Sequence, residues 1–157
     1  MVGGAADLNL FDALLLNTTR IGHGYALGHH PALRAAVKSN GIAVEVCPLS
    51  NQVLKLVDDV RNHPVHVMLA EGLPVVLSPD DPALWGAVGS SYDWAMLYFA
   101  MDERAGGLAT LKQLAINSIQ YSTLLPAPKA AVMGAWESAW DAYVKWLAAS
   151  APVAAEL

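Results

Sequence analysis

Apolar and polar positions along the chain switch repeatedly between a helical and an extended period. Over 7–17, Leu8, Phe11, Leu14 and Leu15 recur at helical spacing behind Asp7, a residue type that caps helices. Residues 19–23 read as a short strand ending on a histidine between two glycines. Pro31 opens a helix whose apolar face is Leu33, Ala36 and Val37, and Asn40-Gly41 stops it. Residues 42–47 form a second strand, ended by Pro48. Val53, Leu54, Val57 and Val60 at helical spacing predict a short helix, and another runs from near Pro64 to Gly72. Residues 74–78 are a continuous apolar run, as expected of a strand buried on both faces. The remainder is helical. Tyr92, Ala95, Met96 and Phe99 form one stripe, Gly106-Gly107 breaks the chain, and Leu108, Leu111, Leu114, Ala115 and Ile119 form the next. A last helix after Pro126 and Pro128 carries Trp136, Trp140, Tyr143 and Leu147 on one side. Stripes of this kind usually serve packing or contact and not cofactor binding.

Three strands, each followed by helix, imply an α/β fold with parallel strands. Three strands do not close a sheet, so both outer ones are expected to keep open edges and the chain to be a segment of something larger. Composition sharpens this. At 55% hydrophobic and only 15% charged, the 157 residues either bury their surface well or pack against further protein. Charged residues, histidine or proline interrupt every apolar run before it could span a bilayer, so no membrane partner is expected. A net charge of −5 without a basic cluster argues against nucleic acid. The first residues carry neither a basic stretch nor a long apolar one, so no signal peptide is visible. Cys47 is the single cysteine and can form no internal disulfide.

Candidate chemistry sits at strand ends, where parallel α/β folds carry their sites. Gly22-His23-Gly24 follows the first strand and, taken alone, reads most simply as a loop histidine in a tight turn. Asp80-Asp81, held between Pro79 and Pro82, reads equally as a metal or substrate ligand pair or as a helix cap. His29-His30 read as a helix entry, His63 and His66 as caps or solvated surface, and Cys47 as a small buried residue. The chain has no phosphate-binding glycine loop, paired-cysteine zinc site, Gly-x-Ser-x-Gly elbow or cytidine-deaminase signature.

Taken together, four segments resemble the adenosine deaminase family. Residues 17–25, Asn-Thr-Thr-Arg-Ile-Gly-His-Gly-Tyr, resemble its sixth-strand motif. Residues 45–54, Glu-Val-Cys-Pro-Leu-Ser-Asn-Gln-Val-Leu, resemble its strand-seven motif, and 78–82, Ser-Pro-Asp-Asp-Pro, its strand-eight motif. Residues 111–119 resemble the helix beyond. The resemblance runs from about Leu8 to about Trp146. Leu54-Lys55-Leu56 and Arg61-Asn62-His63-Pro64 resemble the adenosine deaminase-related growth factors in particular.

The resemblance implies that residues 1–157 are a partial catalytic domain, about strands six to eight and the following helices of a (β/α)8 TIM-type barrel. It implies hydrolytic deamination of adenosine or deoxyadenosine to inosine or deoxyinosine with release of ammonia, by water activated on Zn2+. Asp80 matches a zinc ligand, Asp81 the residue that hydrogen-bonds the purine, and His23 the catalytic histidine that orients the attacking hydroxide. The branch implies a secreted protein and, for the full-length chain, a homodimer. The family's His-x-His pair and its His-Ala-Gly-Glu segment do not occur in the chain, which keeps one zinc ligand of the family's four. The chain is therefore expected to begin between strands five and six, as a fragment or truncated gene model, and to be inactive alone. Its expected partner is the missing N-terminal part of the barrel. The alternative is a non-catalytic interaction module using strand edges and apolar faces.

Overall fold

The computed structural model describes residues 5–101 and 107–150, and the chain divides into two compact units at Tyr121–Ser122. In the first unit, β1 (Arg20–Gly22), β2 (Ala43–Val46) and β3 (Val75–Leu77) form one parallel sheet in the order β1-β2-β3. Register pairs Gly22 with Glu45 and Glu45 with Val76. Alternation then sorts the side chains. Ile21, Val44, Val46, Val75 and Leu77 point to one face and join the core. Arg20, Gly22, Ala43, Glu45 and Val76 share the other, where the Arg20 guanidinium pairs with Glu45. Helices cover the first face: α2 (Pro31–Ser39) through Leu33 and Val37, α4 (Val65–Ala70) through Val65 and Met68, α5 (Ser91–Ala100) through Leu97, and α6 (Gly107–Gln120) through Leu114. Each fully buried Val or Leu contributes about 1.5–3 kcal/mol, so packing more than the ladder holds strands this short.

Two polar contacts fix the helices. Arg34 is buried on α2. It donates to both Glu71 carboxylate oxygens at 2.8 and 2.7 Å and to the carbonyls of Leu27 and Gly28 at 2.9 and 3.1 Å. On α6, buried Asn117 donates to the Val75 carbonyl at 2.8 Å and accepts from Gln113 at 2.9 Å.

The expected strands and the α2 and α4 helices are present, whereas several apolar faces are rotated. A 3-10 turn over Ala5–Leu8 precedes α1 (Asn9–Leu15). Three residues per turn shift the helical phase, so Leu10, Ala13 and Leu14 meet the core while Leu8 and Leu15 are exposed. The helix expected around Val53–Val60 is instead α3 (Pro48–Val53) and a 3-10 turn (Val60–Asn62), separated by Lys55 at φ 60. Val57 and Val60 are buried, and Val53 and Leu54 are not. On α5 the buried stripe is Asp93 and Leu97 with Trp94 beside them, whereas Tyr92 and Phe99 lie outside. Gly107 opens α6 at φ 79, and Gly106 lies outside the described residues.

In the second unit α7 (Pro126–Ser150) carries an aromatic ladder, Trp136–Trp140–Tyr143–Trp146, with ring centroids 5.5, 5.9 and 5.9 Å apart. Trp146 extends the ladder of rings beyond Tyr143, and none of the described residues of α7 is buried. Among the described residues no helix is long and apolar enough to cross a membrane.

Candidate active site at the C-terminal rim of the sheet

Because the strands are parallel, the residues that follow β1, β2 and β3 emerge on one rim. His23 leaves β1 at φ 57 and Asp80 follows β3 at φ 57. Left-handed backbone costs a residue with a Cβ roughly 1–3 kcal/mol. Asn17 and Lys55 share this backbone elsewhere in the chain, and of the four such described residues His23 and Asp80 are the two that meet at the rim. The turn after His23 also requires glycine. Gly24 sits at φ +55, and a Cβ there would lie 2.5 Å from Val44 Cγ1 and 3.2 Å from Leu27 Cδ1.

The first turn of α3, fed by β2, sits between the two strained residues and holds both. The Ser50 hydroxyl donates to Asp80 Oδ2 at 2.7 Å. Asn51 Nδ2 meets His23 Nδ1 at 3.2 Å. His23 Nε2 and Asp80 Oδ2 are 3.6 Å apart, and both side chains remain about one-third exposed. Behind them, buried Asp93 of α5 accepts the Leu49 N–H at 3.0 Å and so fixes the start of α3. Burial raises the Asp93 carboxyl, and repulsion from Asp80 adds to that. Its Oδ2 is buried without a hydrogen-bond partner among the described residues.

Asp81 is exposed and precedes a 3-10 turn (Pro82–Trp85) without capping it, which removes the cap reading for its side chain. His63 is a correction. Expected as a cap or solvated surface, it is 2% exposed, and its Nε2 lies 2.8 Å from Asn51 Oδ1. It does accept the Val65 N–H at 2.9 Å, so the capping half of that expectation is present. Burial first, and the neighbouring His66 second, push the His63 ring down to about 4. Cys47 is buried as expected. Burial first, then the surrounding carboxylates, push its thiol up to about 12, so it is no nucleophile. His30 stands apart, edge-on to Phe11 and 3.8 Å from Asp7.

Ser50, Asn51 and His63 were not picked out as site residues from the sequence. The available signal was a Ser-Asn pair in the first helical turn after a strand end, where short polar side chains reach the rim.

A metal centre needs more than this rim offers. Catalytic zinc is held by about three protein ligands. Among the described residues no three His, Cys, Asp or Glu side chains come together as a metal-binding group. Asp80 is a single carboxylate already engaged by Ser50. These residues do not by themselves fit a zinc ion.

Comparison with known proteins gives the family. The adenosine deaminase family model matches residues 7–135. Human adenosine deaminase 2 is 53% identical over 142 residues, which is 90% of this chain and 28% of the human one. Adenosine deaminase 2-A of Danio rerio is 48% identical over the same coverage. Among solved structures, an amidohydrolase from Burkholderia ambifaria with bound Zn superposes with a TM-score of 0.76 at 31% identity, over 92% of this chain and 40% of the other. The chain thus spans about 28% of the length of the curated relatives it matches. His23, α3 and the Asp80-Asp81 pair all fall inside the matched span, and the chain belongs to the adenosine deaminase family.

Proposed function

We propose that residues 1–157 form the strand six-to-eight part of a catalytic domain that hydrolytically deaminates adenosine or deoxyadenosine. One observation carries this reading. His23 and Asp80, on different strands and both in left-handed backbone, are brought within 3.6 Å and held there by Ser50 and Asn51. In this arrangement the His23 imidazole orients the attacking oxygen, and exposed Asp81 takes the polar edge of the purine. Asp80 would serve as one zinc ligand, with the remaining ligands supplied by protein outside these residues, and the ion would supply the activated water. The zinc-bound amidohydrolase neighbour supports that cofactor, and the resemblance to the growth-factor branch implies a secreted protein.

The test is a graft in which this chain replaces the matching segment of human adenosine deaminase 2. The graft should convert adenosine to inosine, followed by ultraviolet absorbance, while the 157-residue chain with added zinc should not. Asp80→Asn or Asp81→Asn in the graft should each lower kcat/KM by ~100-fold or more, the scale of losing a group that acts on the reacting atoms. A folded graft without activity, or full activity after Asp80→Asn, contradicts the proposal.

A further inference from the structure

The rim histidine is the end of a hydrogen-bond chain that starts on a backbone amide, and each link has a fixed direction. The Val65 N–H can only donate, and it meets His63 Nδ1 at 2.9 Å. Nδ1 of His63 therefore carries no proton. Burial keeps this ring neutral at pH 7, since its titration lies at about 4. The proton is then on Nε2, which donates to Asn51 Oδ1 at 2.8 Å. That contact fixes the orientation of the Asn51 amide and turns its NH2 toward His23 Nδ1, 3.2 Å away. His23 Nδ1 accepts, so in the neutral ring the proton sits on Nε2, the nitrogen that faces Asp80.

We propose that Asn51 and His63 are positioning residues that set the tautomer of His23, presenting its Nε2–H as a hydrogen-bond donor at the rim. This rests on the deaminase reading for its purpose but not for its geometry. A donor at Nε2 can orient an oxygen nucleophile and cannot take a proton from it. Asn51 and His63 are 0% and 2% exposed, and burying two polar side chains is costly unless each finds its partners. Tyr25 closes the chain from the side, packing edge-on to His63 at 5.4 Å while its hydroxyl donates to the Leu56 carbonyl at 2.6 Å.

The test is nitrogen-15 NMR of the histidine rings in the 157-residue chain. In the native chain both His23 and His63 should carry their proton on Nε2. Asn51→Asp replaces the donor facing His23 with an acceptor and should move the His23 proton to Nδ1 while His63 stays unchanged. His63→Gln, which can still donate to Asn51 and accept from Val65, should leave His23 as in the native chain. A proton on His23 Nδ1 in the native chain overturns the proposal without any variant, and so does a His23 tautomer indifferent to Asn51→Asp. In the graft, Asn51→Asp should lower kcat by ~10–100-fold with KM changed less than about twofold. A lowered melting temperature with unchanged kcat would mean a structural role only. If the tautomer responds but the native graft is inactive, the relay stands and the deaminase reading falls. If the graft is active and the tautomer does not respond, the reverse holds.

Discussion

Two polar networks are buried in the first unit, and they are built in opposite ways. Around Arg34 every contact favours the fold. One guanidinium satisfies a carboxylate at two points and two loop carbonyls, and it ties α2 to the end of α4. The rim around His23 and Asp80 is as heavily bonded, yet two of its members sit in left-handed backbone. Nearby, a carboxylate oxygen of Asp93 is buried without a hydrogen-bond partner among the described residues. The His23 and Asp80 side chains stay about one-third open to solvent. A network that only stabilises ends on satisfied groups. One that works on a ligand holds groups ready and accepts strain for it.

The contrast can be broken at several points. The largest stability effect is expected from Gly24→Ala, which leaves every polar contact of the rim in place. Its Cβ enters Val44 at a positive φ, for a loss of roughly 2–4 kcal/mol in chemical denaturation. A change under about 0.5 kcal/mol would show that the turn after His23 is free to relax.

Acid titration comes next. An unfolded histidine titrates near 6.5, whereas folded His63 stays neutral to about 4. Between those values the unfolded chain binds a proton that the folded chain refuses. Stability from this group is therefore complete above pH 6.5 and falls as pH drops toward 4, by roughly 3 kcal/mol in all. His63→Gln should flatten that part of the profile. An unchanged slope would mean that His63 is not buried neutral.

Arg34→Ala is expected to cost about 1–3 kcal/mol, because two loop carbonyls lose a buried donor. The exposed Glu71 side adds little. In the graft the same change should leave kcat as it was. A loss of turnover would mean that the α2–α4 corner serves the site as well as the fold.

Much of this was legible in the sequence, and the misses share a cause. The strands could be read because 74–78 is an apolar run and 42–47 is apolar apart from Glu45, each bounded by proline or glycine. Alone, the glycine-flanked His23 reads as a loop histidine and the proline-bounded Asp80-Asp81 pair equally as ligands or cap; only the family resemblance singles them out, and the structure brings His23 and Asp80 within 3.6 Å. The helix faces were harder. On α5, Asp93 accepts a hydrogen bond from Leu49 and turns its own side of the helix inward, against the more aromatic stripe. A single tertiary contact overrode the local pattern there. His63 was missed for a related reason. A histidine before a proline looks like a helix entry, and nothing local indicates that Asn51, twelve residues earlier, will face its ring. The last helix shows an aromatic stripe as anticipated, but a periodic stripe says which residues share a side and not what covers them.

Asp80→Gly separates strain that serves a site from strain that serves the fold. Glycine accepts φ 57 without penalty, so the substitution removes the strain together with the carboxylate. Melting temperature and adenosine turnover would be measured on the same graft. The expected result is a melting temperature equal to or above that of the parent graft, with adenosine turnover abolished. A lowered melting temperature with turnover retained would contradict it.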